Sequence, residues 1–363
     1  MGGIRPFVEA DIPRVARLHR TVFKTDVRVD SAGLESYHAY FTRVFLDHPA
    51  RDASLPSLVC QEDGGRIVGF LGVVPLRMTM NGRRYQAAIT SQFIVDPTTQ
   101  VGLMAVRLAK AFLEGPQDLS ISDGANDTSR RIWEGLGGTT ALLRSLYWTR
   151  PLRPARLGLS VMGGRARLAP LAMAARPVAS IVDVLATRIR HSHFHQSKPV
   201  AAAGTDRIEE TVLAYLPQFA QRGSLRVEYD ETTLRWLLNQ VRLRKANGEL
   251  HTGVVRNAQR IIGWYFYCLD RDRIASVLQI VADPSATRDV IDHLFYSASE
   301  HGAIAATGRL EPRYLQTLSD AYCLLHRRGP WVLLNSKRSE LVRSFETGDA
   351  FFSRLDGEWC LGF

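Results

Sequence analysis

The residues best suited to chemistry begin where an apolar strand, Thr90 to Val95, is stopped by Asp96 and Pro97. Proline has no backbone donor for a sheet ladder, so we expect the strand to end there. A helical pattern follows from Val101, with Gly102 in its first turn. The first amides of a helix lack partners within it and carry the positive end of its dipole, so they attract anions. The spacing predicts a phosphate or pyrophosphate site at this helix start, where Gly102 would allow a close approach of the backbone.

A second strand and helix follow directly. The strand runs from Leu119 to Ser122, and Asn126 precedes a short apolar-faced helix that ends at Gly137 and Gly138. Glycine is the usual residue at a helix stop. The two strand-helix pairs form the stretch around which the chain is predicted to be organised.

This stretch resembles the cofactor-binding half of the GNAT acyltransferases, which move an acyl group from acyl-coenzyme A to an amine. The matching residues are Val95-Asp96-Pro97, Gly102 and the helix from Asn126 to Gly138. Aligned on Gly102, Thr99 stands where the family has Arg or Gln, and Met104 stands where it has Gly or Ala. Trp133 replaces a tyrosine that often protonates the leaving thiolate in the family.

The resemblance implies a binding site for acetyl-coenzyme A or another acyl-coenzyme A. Ile94 and Val95 would lie beside the pantetheine arm. The residues that would meet the pyrophosphate are Gln100, Val101, Gly102, Leu103, Met104 and Ala105. Asn126 and Ser129 would contact the far end of the cofactor. Two N-terminal helices, predicted over 12–23 and 31–46, would wall the acceptor site.

Acyl transfer to an amine also needs a proton acceptor and an acid for the leaving group. Asp123 follows the strand that ends at Ser122, where a family group that activates the acceptor could lie. Tyr147 is the available acid, on a predicted strand. Glu35 and Asp96 are alternative carboxylates, but a solvent-facing helix position and a turn cap explain them equally well.

Length and composition set the broad class. The chain has 363 residues, 45% of them hydrophobic, which fits two domains of ordinary size. The four cysteines are scattered and no targeting segment is visible, so we expect reduced thiols in a cytoplasmic protein. The triplet His191, His193 and His195 has no accompanying Cys or carboxylate, and no metal site is predicted.

The second half repeats the first in outline. Strands are predicted around residues 252–256, 261–269 and 274–281, and Asp283-Pro284 ends the last as Asp96-Pro97 did. Helices are predicted over 287–301 and 314–326, but no glycine follows Pro284. The fold class is therefore α/β (α+β), with two tandem GNAT-like domains, each a mixed, mostly antiparallel sheet flanked by helices. The predicted divisions are 1–154, a connector over 155–204, and 205–363, the last without its own cofactor site.

The connector holds most of the positive charge. The whole chain carries a net +10, and residues 150–200 contain nine basic residues and one acid, Asp183. An amphipathic connector helix explains this pattern, and so does peripheral contact with a membrane surface. Nucleic acid is a less favoured partner because no aromatic residues alternate with the arginines.

Three functions remain open at this level. The second half, with Leu234-Arg-Trp-Leu237 and the tail from Phe351 to Trp359, also resembles the C-terminal half of tandem-GNAT proteins of bacterial exopolysaccharide and cell-envelope synthesis. This resemblance implies acylation of an amine or hydroxyl on a small-molecule, sugar or envelope precursor. A Fem-like transferase that uses aminoacyl-tRNA is the second hypothesis. A non-catalytic scaffold at a membrane surface is the third.

Overall fold

The protein is described by a computed structural model over residues 3–23, 31–163, 169–189, 191–204, 207–219 and 224–363. Its strands are β1 (Gly3–Pro6), β2 (Leu58–Gln61), β3 (Ile67–Met80), β4 (Arg83–Val95), β5 (Leu119–Ala125), β6 (Thr139–Thr140), β7 (Tyr147–Pro151), β8 (Ala202–Gly204), β9 (Arg226–Val227), β10 (Glu249–Asn257), β11 (Arg260–Leu269), β12 (Ile274–Ala282), β13 (Ala305–Arg309), β14 (Leu324–His326) and β15 (Trp331–Asn335). Its helices are α1 (Ile12–Phe23), α2 (Ser31–Phe41), α3 (Val101–Leu113), α4 (Asp127–Gly135), α5 (Pro154–Gly163), α6 (Ala169–Ala174), α7 (Arg176–Arg188), α8 (Ile208–Phe219), α9 (Glu231–Leu243), α10 (Thr287–Glu300), α11 (Leu315–Asp320), α12 (Ser339–Glu346) and α13 (Glu358–Leu361).

The strands form two sheets built on one plan. The first has the order β1-β2-β3-β4-β5-β15-β6, and β9 adds to β3. The second has the order β8-β10-β11-β12-β13-β7-β14. Most neighbours are antiparallel, while β4 pairs with β5 and β12 pairs with β13 in parallel. The predicted fold class, two mostly antiparallel sheets flanked by helices, is confirmed.

The two halves exchange strands. β7 follows β6 in the chain, yet it lies in the second sheet between β13 and β14. β15 follows β14, yet it lies in the first sheet between β5 and β6. The division of the chain at 154 and 204 stays a prediction. The first sheet includes β15 from the part of the chain after 204, and the second sheet includes β7 from the part before 154.

The cores follow the same exchange. On one face of the first sheet, Phe41 and Phe70 from the first half share a buried cluster with Val332, Phe345 and Phe352 from the second. On the other face, Leu108 of α3 and Trp133 of α4 pack with Leu333 of β15. Burial of such side chains is the main favourable term in folding, so each half stabilises the other.

Some elements differ from their predicted forms. The helix predicted over 314–326 is the shorter α11, and residues 324–326 form β14. The connector forms α5, α6 and α7, and its residues 164–168 lie outside the described ranges. None of the described helices combines the length and the apolarity needed to cross a bilayer.

Candidate functional site

A cleft opens where two parallel strands separate. β4 and β5 are paired at Ala87–Leu119, Ala88–Ser120 and Ile89–Ile121, and beyond these pairs they diverge. The cleft encloses about 560 Å³. Its walls come from both halves of the chain, including Gln92 and Asn126 from the first and Arg354 and Glu358 from the second. Because the strands are parallel, α3 and α4, which follow them, both start at the open edge.

A bulge in β4 shapes this opening. Gln92 and Phe93 face a single residue of β3, Leu71, and Gln92 has a φ of 56°. The Nε2 atom of His19 lies 2.9 Å from the Oε1 atom of Gln92, and its Nδ1 atom lies 3.1 Å from the Tyr37 hydroxyl. Burial lowers the pKa of His19, so the neutral ring donates to Gln92 and accepts from Tyr37. These contacts fix the side chain of Gln92, and Gln92 and Phe93 both line the cleft.

The start of α3 suits an anion. Gln100 is the N-cap residue and its side chain makes no capping hydrogen bond. A Cβ atom added at Gly102 would meet nothing within 4 Å, so the helix start is open to a ligand. Gln100, Val101 and Leu103 are exposed beside it, whereas Met104 is half-buried and Ala105 is buried.

The other predicted cofactor residues have different surroundings. The side chain of Ile94 is buried in the core, so only its backbone could meet a ligand. Val95 packs on the α3 side of the sheet. Asn126 and Ser129 line the cleft, and the Asn126 side chain accepts the Ser129 amide at 2.9 Å as the cap of α4. The whole set of cofactor-binding residues remains a prediction. The starts of α3 and α4 lie at the same edge of the sheet, where β4 and β5 end.

Both predicted catalytic residues line the cleft. Tyr147 is the first residue of β7 and is 9% exposed. Burial raises the pKa of its phenol. Across the described part of the chain, no hydrogen-bond partner is found for its hydroxyl, so the group remains available to a ligand.

Asp123 is fully engaged with the protein. Its Oδ2 atom accepts the Arg309 guanidinium at 2.6 Å, and its Oδ1 atom accepts the Glu358 amide at 2.7 Å. Both charged groups are almost completely buried. A buried carboxylate tied in this way serves better to fix the tail segment at Glu358 than to take a proton from a substrate.

Glu358 is the carboxyl group that sequence reasoning missed. Its Oε1 atom accepts the Ser122 hydroxyl at 2.8 Å and the Gly124 amide at 3.0 Å. Burial, with a further contribution from the charge of Asp123, raises its pKa to about 8. The segment fits closely: a Cβ atom at Gly357 would lie 1.9 Å from Asp123 Oδ2. No local pattern pairs Glu358 with β5, which lies more than two hundred residues earlier.

Three arginines give the cleft a positive lining. Arg244 donates to the Trp359 carbonyl, and Arg354 donates to the Val277 carbonyl at 3.2 Å. Arg328 is exposed, and no side-chain partner is found for it in the described ranges. Since Asp123 is neutralised by Arg309 and the raised pKa of Glu358 favours its neutral form, the lining favours an anionic ligand.

The corresponding opening in the second sheet is filled. β12 and β13 are paired from Ile274–Ala305 to Ser276–Thr307 and then diverge as β4 and β5 do. Only about 20 Å³ is enclosed there, between side chains that include Trp148 and Leu318. Tyr314 crosses the space and donates its hydroxyl to the Ile280 carbonyl at 3.3 Å. The two sheets therefore differ at equivalent positions: the first has an open cleft, and the second is filled by side chains.

Comparison with known proteins supports the fold. No family model matches the chain, and no curated protein does. A GCN5-related N-acetyltransferase from Anabaena variabilis has a TM-score of 0.59 at 11% identity, over 93% of this chain and 74% of that one. A probable N-acyltransferase of unknown function from Enterococcus faecalis gives 0.57 at 10%, over 95% and 74%. A GCN5-related N-acetyltransferase from Kribbella flavida gives 0.54 at 13%, over 92% and 71%.

Proposed function

We propose that the protein transfers an acyl group, acetyl first among those to test, from acyl-coenzyme A to an amine or hydroxyl. The acceptor would be a small molecule, a sugar or a cell-envelope precursor. The observation that carries the proposal is the cleft between β4 and β5, which is lined by the start of α4 and by Tyr147 and Glu358. The start of α3 lies at the same edge of the sheet. The fold shared with the N-acetyltransferases named above supports the same reaction class.

Different groups of the chain would stabilise the oxyanion, accept a proton and donate a proton during such a transfer. Acyl-coenzyme A supplies a thioester whose carbonyl the acceptor attacks. Backbone amides of β4 beside the bulge would stabilise the negative charge that develops on the carbonyl oxygen. The ionised form of Glu358 takes the proton that the acceptor nitrogen or oxygen loses as its bond to the acyl carbon forms. Tyr147 gives its proton to the sulfur as the carbon–sulfur bond breaks.

The positive lining narrows the acceptor class. Arg244, Arg328 and Arg354 favour an acceptor that carries a carboxylate or phosphate. An amino acid and the matching amine without its carboxylate form the first pair to compare by the rate of coenzyme A release. We expect kcat/KM to favour the amino acid, and Arg328→Met to reduce that preference. If the wild type and Arg328→Met have equal KM values for acetyl-coenzyme A, the lost preference comes from a contact with the acceptor and not from a contact with the cofactor.

The proposal is tested first by calorimetric titration with acetyl-coenzyme A. Three proteins are compared: the wild type, Gly102→Ala and Gly102→Glu. The added methyl of the alanine variant meets open space, so this variant should bind like the wild type. The glutamate variant places a negative charge where the diphosphate would bind, and it should lose most of the affinity.

Two outcomes would count against this function. Absence of binding by the folded wild type would reject acyl-coenzyme A as donor and leave the aminoacyl-tRNA and scaffold hypotheses. Equal binding by the wild type and Gly102→Glu would move the diphosphate away from the start of α3.

A further inference from the structure

The connector helix α7 carries an exposed apolar face. Val178, Ile181, Val182 and Leu185 recur at helical spacing, and their exposed fractions are 64%, 63%, 47% and 58%. Ile189 extends the face by one more turn and is 57% exposed. These five residues are called the α7 face below. Single exposed apolar residues are common on proteins, but a continuous row along one helix marks an interaction surface.

The opposite side of α7 holds it against the protein. Ala179 and Asp183 are buried there. The two carboxylate oxygens of Asp183 accept the amides of Ala155 and Arg156, at 2.8 and 3.0 Å, and so cap the start of α5. Because the inner side is anchored, the α7 face has a fixed outward direction.

The charge around this face has one sign. Asp183 is the only acid between residues 150 and 200, and it is buried in the cap just described. Arg176 and Arg188 lie at the two ends of α7 and are exposed. The same stretch also contains Arg165, Arg167 and Arg190, whose positions lie outside the described residues. The accessible charge of the connector is therefore positive.

An exposed apolar row between arginines has the properties of a helix that lies in a bilayer interface. Such a helix buries its apolar side chains at the level of the acyl chains, and its basic residues contact anionic headgroups. A second copy of this chain is a poorer occupant, because an interface formed by the same surface on both copies would bring like charges together. We infer that the α7 face docks the protein on an anionic lipid surface.

The inference is tested with the full-length protein and sedimented vesicles. One vesicle preparation contains phosphatidylcholine alone, and the other also contains phosphatidylglycerol. We expect the wild type to bind the anionic vesicles, and to bind less as salt is raised. The double variant Ile181→Glu/Leu185→Glu should lose binding, and Arg188→Gln should weaken it about fivefold, the effect of about 1 kcal/mol for one cation near the surface.

A matched control and a second measurement keep the result interpretable. Val200→Glu introduces one such negative charge at a fully exposed valine outside α7, and it should bind vesicles only slightly less than the wild type. Absence of binding to anionic vesicles by the wild type would overturn the inference. So would equal losses in Val200→Glu and in the double variant. A dimer in sedimentation velocity that the double variant abolishes would assign the face to a second copy instead.

Discussion

Two carboxyl groups meet at the end of β5, and their partners give them different tasks. Asp123 has a buried cation against one oxygen and an amide against the other, so both of its oxygens are occupied. Glu358 accepts neutral donors and lies beside that negative charge, which helps to raise its pKa to about 8. A group that titrates near neutral pH can both take and return a proton.

The first prediction concerns Glu358→Gln. The wild-type kcat/KM should rise with pH and level off above about pH 8, since only the ionised Glu358 accepts a proton. The variant should lose about 10²-fold or more at pH 9. Dividing one pH profile by the other for a single acceptor cancels the acceptor's own ionisation. Glu340→Gln, at an exposed position of α12, is the control and should follow the wild type.

The same residue predicts a pH dependence of stability. The pKa of Glu358 is higher in the folded protein than its ordinary value of 4.5. Its contribution to the free energy of unfolding is therefore complete below about pH 4.5 and is lost as pH rises through about 8. Urea unfolding at pH 5, 7 and 9 should show a fall for the wild type that is smaller for Glu358→Gln. Parallel falls in both proteins would contradict the assignment of this pKa.

Tyr147 gives a prediction about the leaving group. Tyr147→Phe removes one hydroxyl from the cleft without removing a hydrogen bond to any residue that the structure describes, so folding should be nearly unchanged. We expect kcat to fall by about 10²-fold, with little change in the dissociation constant for acetyl-coenzyme A. Tyr296→Phe, on α10 outside the cleft, should have no such effect. Full activity of Tyr147→Phe would remove it as the acid.

At the scale of elements, the β4 bulge determines how the cleft opens. Gln92 adopts a left-handed backbone conformation that glycine accepts and other residues resist. Gln92→Gly and Gln92→Ala both lose the His19 contact and differ mainly in this strain. We expect the glycine variant to be about 1 kcal/mol more stable in thermal unfolding. A more stable alanine variant would show that the bulge relaxes without cost.

Local patterns identified several of these elements for physical reasons. The cap at Asn126 and the end of β4 before Pro97 depend on neighbouring residues, and both occur as predicted. The bulge gave no signal, because Gln92 is held by His19 of α1, which is itself hydrogen-bonded to Tyr37 of α2. The helix predicted over 314–326 stops early, because Tyr322 takes a positive φ and the next residues pair with β7.

At the scale of the whole molecule, the exchange of β7 and β15 makes the two halves depend on each other. Neither half contains all the strands of its own sheet. We predict that fragments 1–200 and 201–363, produced separately, each fail to unfold cooperatively, whereas the two produced together co-purify as one folded complex. Circular dichroism and thermal scans check this. A stable, cooperative fragment 1–200 would contradict it.

The same exchange explains why sequence reasoning found only part of the site. Asp123 and Tyr147 could be proposed because they lie near the stretch with recognisable spacing. Arg309 reaches Asp123 because β13 pairs with β7, and Glu358 reaches the cleft because the tail crosses β5. A repeat read from sequence predicts two similar units, but it carries no information about which unit receives the last strand.

The order of strands in the first sheet also has a consequence during synthesis. β5 cannot pair with β15 until the ribosome has added about 210 further residues after Ala125. At about 5–20 residues per second, this is a wait of roughly 10 to 40 s. Throughout that time the nascent chain exposes an unpaired strand edge to its neighbours on the same messenger RNA. The protein should therefore give a higher soluble yield when a chaperone that binds nascent chains is abundant.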